Sequence, residues 1–411
     1  MLKTRGPGAG PKKEIRTLGL MHAMNDGYMA ALPLLLPFAG AELGLGLREA
    51  GILTGALGAA GAALALPAAA VAGALGGFRA LAASAAVYAA SFAAFGLAAG
   101  PIGAFAAFAG ASLGFGLFHP IGFALVARAG DDAGLGGRMG AFAALGDLGR
   151  VGLAAALTFA VAAFGWRASA IGFGAAALAA VAVVRLADAP GRRPSRADAD
   201  RGREPAKRGV GARRLIASPP FALAALGCLV DGLASSSIFV FIPFLFIARG
   251  ASPALVGSLT GAFFVGNMLG KVAIGKVADR ANPSAVFVAS EAVMAALLVA
   301  LSAAKNPYAL AALAVALGAV TKGTVPVLNA LVAKAVPDRE LYTEAFAFVS
   351  LLGGVSAAVA PVALGALAQA AGIEYVFIAC AAVALAATAP VVASTYASRR
   401  AASHRKDHSW N

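Results

Sequence analysis

The sequence predicts an all-α membrane protein: twelve transmembrane helices arranged as two pseudo-symmetric six-helix bundles. Three observations predict it. The 411-residue chain is 60% hydrophobic and only 13% charged, with a mean hydropathy of +0.82, which is far from the composition of a soluble domain. Twelve apolar stretches, bounded by charge, Pro or Gly, are each long enough to cross a bilayer. The second half of the chain repeats the first.

In chain order the predicted spans are 17–42, 48–75, 78–99, 101–128, 138–164 and 168–186, then 219–246, 252–277, 285–304, 308–334, 341–371 and 373–398. The first is too long for a signal peptide and carries His22 and Asp26, so it reads as a membrane helix. Abundant Gly (51 residues) and Ala suit membrane helices, where small side chains let backbones approach. Between the sixth and seventh spans lies a basic segment, 187–218, rich in Pro and Gly. It reads as a cytoplasmic linker that separates an N-terminal bundle (1–186) from a C-terminal one (219–398), with 399–411 as a cytoplasmic tail.

Most of the 33 Lys and Arg residues fall in the tails and in the loops on the linker's side. Only Arg48, Arg167, Arg249 and Lys305 lie opposite, and Arg150, Lys271 and Lys322 lie within spans. The positive-inside rule then places both termini in the cytoplasm of a multi-pass cell-membrane protein, a bacterial inner membrane being the expected setting. Topology therefore explains the net charge of +14, and nucleic acid is not an expected partner. Cys228 and Cys380, the only cysteines, lie inside spans and read as packing residues. There is no phosphate-binding Gly-rich loop with its Lys and Ser/Thr, and no metal or nucleophile constellation. The expectation is a monomer that is not an enzyme, not ATP-driven, and without cofactor or metal.

The repeat keeps one register throughout, at an offset of about 205 residues. Asp26-Gly27 with Pro37 matches Asp231-Gly232 with Pro243, and Gly51-Ile52-Leu53-Thr54-Gly55 matches Gly257-Ser258-Leu259-Thr260-Gly261. Pro120 with Ala124–Arg128 matches Pro326 with Ala330–Lys334, and Ala141-Phe142-Ala143 matches Ala345-Phe346-Ala347. Repeated halves are how many secondary transporters build alternating access.

With these features the chain resembles the major facilitator superfamily over essentially its whole length. The signature loop between the second and third helices is clear in the second half as Gly275-Lys276-Val277-Ala278-Asp279-Arg280. In the first half it is reduced to Gly73, Gly77, Phe78 and Arg79. The resemblance implies that Gly275, Asp279 and Arg280 act as a conformational latch. A narrower resemblance, to the fosmidomycin-resistance group of proton-coupled exporters, rests on His22-Ala23-Met24-Asn25-Asp26-Gly27-Tyr28 with Pro33 and Pro37, and on Phe118-His119-Pro120. The fifth span departs from drug antiporters, reading Gly146-Asp147-Leu148-Gly149-Arg150 where a Gly-Pro motif is usual.

The resemblance implies that helices 1, 4, 7 and 10 line a central cavity, and the ionisable residues follow that set. Asp26, His119, Asp231 and Lys322 lie on helices 1, 4, 7 and 10, Asp147 and Arg150 on helix 5, and Lys271 on helix 8. A charge at mid-membrane costs roughly 2.5–3.5 kcal/mol on insertion scales, so each needs a partner or a task. Asp26 and Asp231, equivalent in the repeat, are the leading proton-coupling candidates with His119; the alternative is a hydrogen-bonded carboxylate that fixes a helix pair. Asp147 and Arg150, three apart on one face, read as a charge pair, or Arg150 faces a solute carboxylate or phosphonate. Lys322 has no acid nearby on its own helix and reads as a solute ligand, with Lys271, Asn25 and Tyr28 as further candidates. Phe118 and Phe239 either shape the cavity or simply pack. Glu291 and Glu344, near helix starts, read as making cytoplasmic contacts.

The sequence thus predicts a secondary transporter that moves a small anionic or zwitterionic organic solute by rocker-switch alternating access, coupled to protons. Export as an antiporter is slightly favoured over uptake of an organic anion by symport or exchange, and a non-transporting membrane sensor is the remaining alternative.

Overall fold

A computed structural model describes residues 10–64, 67–128, 135–187, 210–338 and 341–407, and every regular element among them is a helix. The first predicted span forms α1 (Gly10–Leu34) and α2 (Leu36–Leu43), and the second forms α3 (Leu47–Leu64) and α4 (Pro67–Leu75). The third and fourth are α5 (Gly77–Gly96) and α6 (Pro101–Arg128), and the fifth and sixth run together in α7 (Leu135–Ala187). After the short α8 (Val210–Ile216), the seventh span forms α9 (Pro219–Ser235) and α10 (Ile238–Ala248). The rest are α11 (Pro253–Arg280), α12 (Pro283–Ala303), α13 (Pro307–Ala335), α14 (Tyr342–Ala371) and α15 (Ile373–Asp407). Among the described residues, nine helical segments are long and apolar enough to cross a membrane. The first two predicted spans fall outside that set.

Local chemistry sets the boundaries. Pro37 has no N–H to return to the carbonyl of Pro33, so α1 yields to α2 at Leu35. Gly165 divides α7 with φ 77° and ψ 163°, a conformation open essentially to glycine alone. Three helices of the second half start with a capping side chain followed by Pro at the first helical position. Ser252 accepts from Leu255 N, Asn282 from Ser284 N, and Asn306 from Tyr308 N. Most of the predicted linker, and residues 408–411 of the tail, lie outside the described residues. The linker's end forms α8, whose Leu215 is buried, and the tail through Asp407 continues α15.

The chain divides into two compact units, Met1–Gly44 with Ala63–Glu204, and Leu45–Ala62 with Pro205–Asn411. In the first, Leu18, Met21, Ala68, Leu81, Phe118, Ile121, Val126 and Phe142 bring α1, α4, α5, α6 and α7 to one core. In the second, Phe221, Ala224, Val332, Leu341 and Ala345 close one end, and Phe287, Val327, Leu328, Ala387 and Val391 form a separate cluster. Residues 45–62 belong to this second unit: Leu47 N donates to Gln369 Oε1 at 3.2 Å, and Gly51 lies against the backbone of Pro361. Leu97, Ile102, Phe159, Phe164, Val272 and Leu351 point outward, as a hydrocarbon solvent allows.

The duplication is visible in three dimensions as a corner with exchanged charges. In the first unit Arg167 Nε, after the break in α7, donates to Glu42 Oε1 at the end of α2 (2.8 Å), and its Nη1 donates to the carbonyl of Gly96 (3.0 Å). In the second unit Arg249 follows α10, pairs with Glu374 at the start of α15 (3.3 Å), and donates to the carbonyl of Ser302 (2.6 Å). Acid and base have traded ends, yet the guanidinium serves the equivalent helix C-terminus, where orphan carbonyls need donors.

Close helix contact in the second unit depends on glycine. A Cβ on Gly270 would run into the carbonyl of Ala319, and one on Gly318 into that of Phe263, so α11 and α13 meet backbone to backbone. Gly270→Ala is expected to cost about 1–3 kcal/mol by overpacking, read as a lower melting temperature in detergent. Gly353→Ala, with open space around the added carbon and a better helix former in place, is expected to leave the melting temperature the same or slightly higher.

Candidate functional site

In the first unit the chemistry gathers around Asp26, which α1 places in the interior with Asn25 and His22, all three buried. Arg150 on α7 donates from Nη2 to Asp26 Oδ2 at 2.6 Å and from Nη1 to Asp147 Oδ1 at 2.9 Å. One guanidinium thus bridges the intrahelical pair read from the sequence and a third group on another helix. The approach is possible because α7 presents glycine there. A Cβ on Gly149 would strike the backbone of Ala23, and one on Gly146 would lie 2.7 Å from Asp26 Oδ2.

Two histidines complete the cluster. His119 on α6 places Nε2 3.0 Å from Asp26 Oδ1, and about a third of its side chain remains exposed. His22 donates from Nδ1 to the carbonyl of Phe142 at 2.7 Å. Its Nε2 is thereby turned towards Asp26 Oδ2 and His119 Nε2, each 3.4 Å away. The His22 ring is held between Phe118 and Phe142, with centroids 5.7 and 4.0 Å distant. His22, Asp26 and His119 offer ligand atoms within 4.8 Å of one another, a donor set that fits a metal ion. Arg150 already supplies a positive charge at this carboxylate, so the arrangement reads as an internal ion pair with two histidines beside it. Asn25 donates to Asp26 Oδ1 at 3.1 Å, while its own Oδ1 has no hydrogen-bond partner among the described residues.

The second unit has its own acid. Asp231 on α9 is buried, accepts a long 3.5 Å bond from Ser235 Oγ, and interacts electrostatically with Lys322 on α13 and with Glu291 on α12. Lys322 therefore has an acid on another helix, which spacing along its own helix does not reveal. Glu291 corrects the reading of it as a cytoplasmic contact: its exposure is 0%, because the face of α12 that carries it turns into the bundle. Ser356 Oγ donates to the carbonyl of Leu229 at 3.0 Å, tying α14 to α9 just before Asp231.

The other candidates lie apart from these clusters. Tyr28 is buried against Tyr88, Phe92 and Phe173, and its hydroxyl donates to the carbonyl of Phe173 at 2.8 Å. The groove beside it, about 390 Å³, is lined by Ala23, Met24, Leu148, Leu153 and Ala177 and presents no charged group. Lys271 is half-buried on α11, and Phe239 packs on Phe264. Of the latch residues, Gly275 lies near Pro326 and Arg280 is exposed at the end of α11, while the Asp279 side chain is outside the described residues.

These geometries order the stability costs. Asp26 is more deeply enclosed than Asp147 (side chains 3% and 11% exposed), so Asp26→Asn is expected to lower the melting temperature more than Asp147→Asn. Tyr28→Phe removes one buried hydrogen bond, at a cost of about 1 kcal/mol by the same measurement.

Comparison with known proteins gives the architecture a family. The model of the Major Facilitator Superfamily matches residues 18–248 and, again, 224–410. The inward-facing, unoccupied structure of a bacterial homologue of the human lysosomal transporter Spinster superposes with a TM-score of 0.73 at 15% identity. That match covers 95% of this chain and 98% of the other. The nucleoside transporter NupG, in a point-mutant form, gives a TM-score of 0.74 at 14% identity, covering 94% of this chain and 100% of the other. No curated protein sequence matches significantly. The chain belongs to the Major Facilitator Superfamily of membrane transporters.

Proposed function

We propose that this transporter carries a small anionic or zwitterionic organic solute together with protons, by rocker-switch alternating access, as a monomer in a cell membrane with both termini cytoplasmic. One observation supports this reading above the others: each unit holds a buried aspartate under the influence of a cation from another helix, Arg150 bonded directly to Asp26 at 2.6 Å and Lys322 acting electrostatically on Asp231.

Such a pair makes proton binding and anion binding cooperate. While the aspartate is ionised it occupies the cation, and a solute carboxylate or phosphonate must compete with it. Once the aspartate takes a proton it no longer competes: Arg150 keeps only Asp147, on Nη1, and Lys322 loses the charge of Asp231, so a solute anion is bound with less repulsion. Each event therefore favours the other, by the same factor in both directions. Arg150 suits a forked oxyanion and Lys322 a point contact. His119, part-exposed and 3.0 Å from Asp26, is placed to pass the proton. Cooperative binding means that proton and solute travel together, so this mechanism favours symport over the antiport export towards which the sequence motifs lean.

Proteoliposomes test the proposal with a panel of carboxylates, phosphonates, amino acids and lipophilic cations, and a pH dye in the lumen. Anionic solutes are expected to enter with acidification of the lumen, and an inward proton gradient to drive their accumulation. Asp26→Asn and Asp231→Asn are each expected to reduce gradient-driven accumulation at least about ten-fold, the equivalent of about 1.4 kcal/mol. Transport confined to cationic or neutral lipophilic compounds, or indifferent to an imposed pH gradient, would sink the reading. Alkalinisation of the lumen on solute entry would replace symport with exchange.

A further inference from the structure

We propose that Asp231 and Glu291 form a buried carboxyl pair that shares one exchangeable proton beside Lys322, which makes Glu291 a proton-coupling residue of the second unit. The role in coupling rests on the proton-linked reading above; the shared proton does not.

Two independent deficits meet at this place. The first is in hydrogen bonding. Both carboxyl oxygens of Glu291 and Oδ1 of Asp231 are buried with no donor among the described residues, so that each carboxyl's main partner is the other carboxyl, and the Ser235 bond to Asp231 Oδ2 is at the limit of length. Buried polar atoms are rarely left so. The second is in charge. Glu291 and Asp231 act on each other, and Lys322 acts on Asp231, so two ionised carboxyls and one ammonium would leave a net negative charge in the interior.

The surroundings offer little to offset that charge. One turn from Glu291, Phe287 belongs to an apolar cluster with Val327, Leu328, Ala387 and Val391, and Cys228 packs on it. Helix α9 contributes Asp231 and the Cys228 thiol, and α13 contributes Lys322. On α11 the bases are the half-buried Lys271 and the exposed Lys276 and Arg280. Helix α15 has no Asp, Glu, Lys, Arg or His between Glu374 and Arg399, and Glu344 of α14 is exposed.

A single proton removes the deficit of charge and relieves that of hydrogen bonding, satisfying one oxygen of each carboxyl. Placed between the carboxyls, it supplies a donor that their oxygens lack and brings the trio to neutrality. Its release leaves an uncompensated charge, so the pair gives it up when water reaches the site. The first unit has no acid at this place in the repeat, its second acid being Asp147 beside Arg150. At the position equivalent to Glu291 the repeat has the buried Ala85, following Ser84 as Glu291 follows Ser290. The duplicated halves therefore complete their aspartate–cation pairs differently, with His119 in one and Glu291 in the other.

Infrared spectroscopy of the purified protein at neutral pH, in H₂O and D₂O, reads the proton without any transport assay. The native protein is expected to show a neutral-carboxyl band that shifts on deuteration. That band is expected to vanish in Glu291→Gln and equally in Asp231→Asn, because one remaining acid and Lys322 balance each other as ions. Lys322→Gln is expected to strengthen it, because a second proton is then needed for neutrality. Ser290→Ala should leave it unchanged. If one acid variant fails to fold, the other carries the same prediction. A native spectrum with no neutral-carboxyl band, or a band that persists in both acid variants, overturns the proposal. Transport indifferent to pH with the band intact would leave the shared proton standing and overturn only its coupling role.

Discussion

An ionised group inside a membrane protein must find its counter-charge within the protein, because the surrounding lipid offers none. The pair of Asp26 and Arg150, 2.6 Å apart across α1 and α7, is the clearest solution to that constraint in this chain, and the first unit is arranged around it. Gly146 and Gly149 thin α7 where it meets His22, Ala23 and Asp26. His22 is fixed by Phe142 from one side and stacked from both, which fills the space behind the carboxylate. Asp147 takes the remaining fork of the guanidinium, so the cation is shared by two acids and its position is over-determined. Such a cluster is stable while every charge is in place and sensitive to any change in the charge of one member, which is what coupling requires.

The second unit meets the same constraint with different residues. Asp231 is equivalent to Asp26, but the cation that acts on it, Lys322, is on α13 rather than on the helix equivalent to α7, and its second acid, Glu291, comes from α12. The corner of Glu42 with Arg167 and that of Arg249 with Glu374 show the same freedom at the ends of the bundles, where acid and base exchange positions while the carbonyls they serve keep theirs. Duplication preserved the places at which charge is needed and left its sign and source to vary.

How much of this is legible from sequence depends on how local the cause is. Every predicted span is mostly helical where described, because hydropathy and Pro or Gly boundaries act within one segment. The break at Gly165 falls in the predicted boundary between the fifth and sixth spans, which Arg167 marks, whereas the break at Leu35 lies inside the predicted first span, in the run around Pro33 and Pro37. The intrahelical neighbours Asp147 and Arg150 are readable from a spacing of three. The bond from Arg150 to Asp26 is not, because it joins residues 124 apart. Glu291 misleads for the same reason: its distance from a helix start is visible in sequence, but the neighbours that enclose its face are not. The place of His22 in the cluster has one signal, its spacing of one turn before Asp26, but the carbonyl of Phe142 that orients its ring belongs to a distant helix.

Most depends on Asp26 and Arg150 being energetically one unit. A double-mutant cycle on Asp26→Asn and Arg150→Gln, read by unfolding of the purified protein in detergent, measures this. Arg150→Gln alone is expected to cost about 3–5 kcal/mol, since it strands a buried carboxylate, and adding Asp26→Asn is expected to restore more than half of that loss. Additive costs in the double variant would show instead that the two side chains act separately.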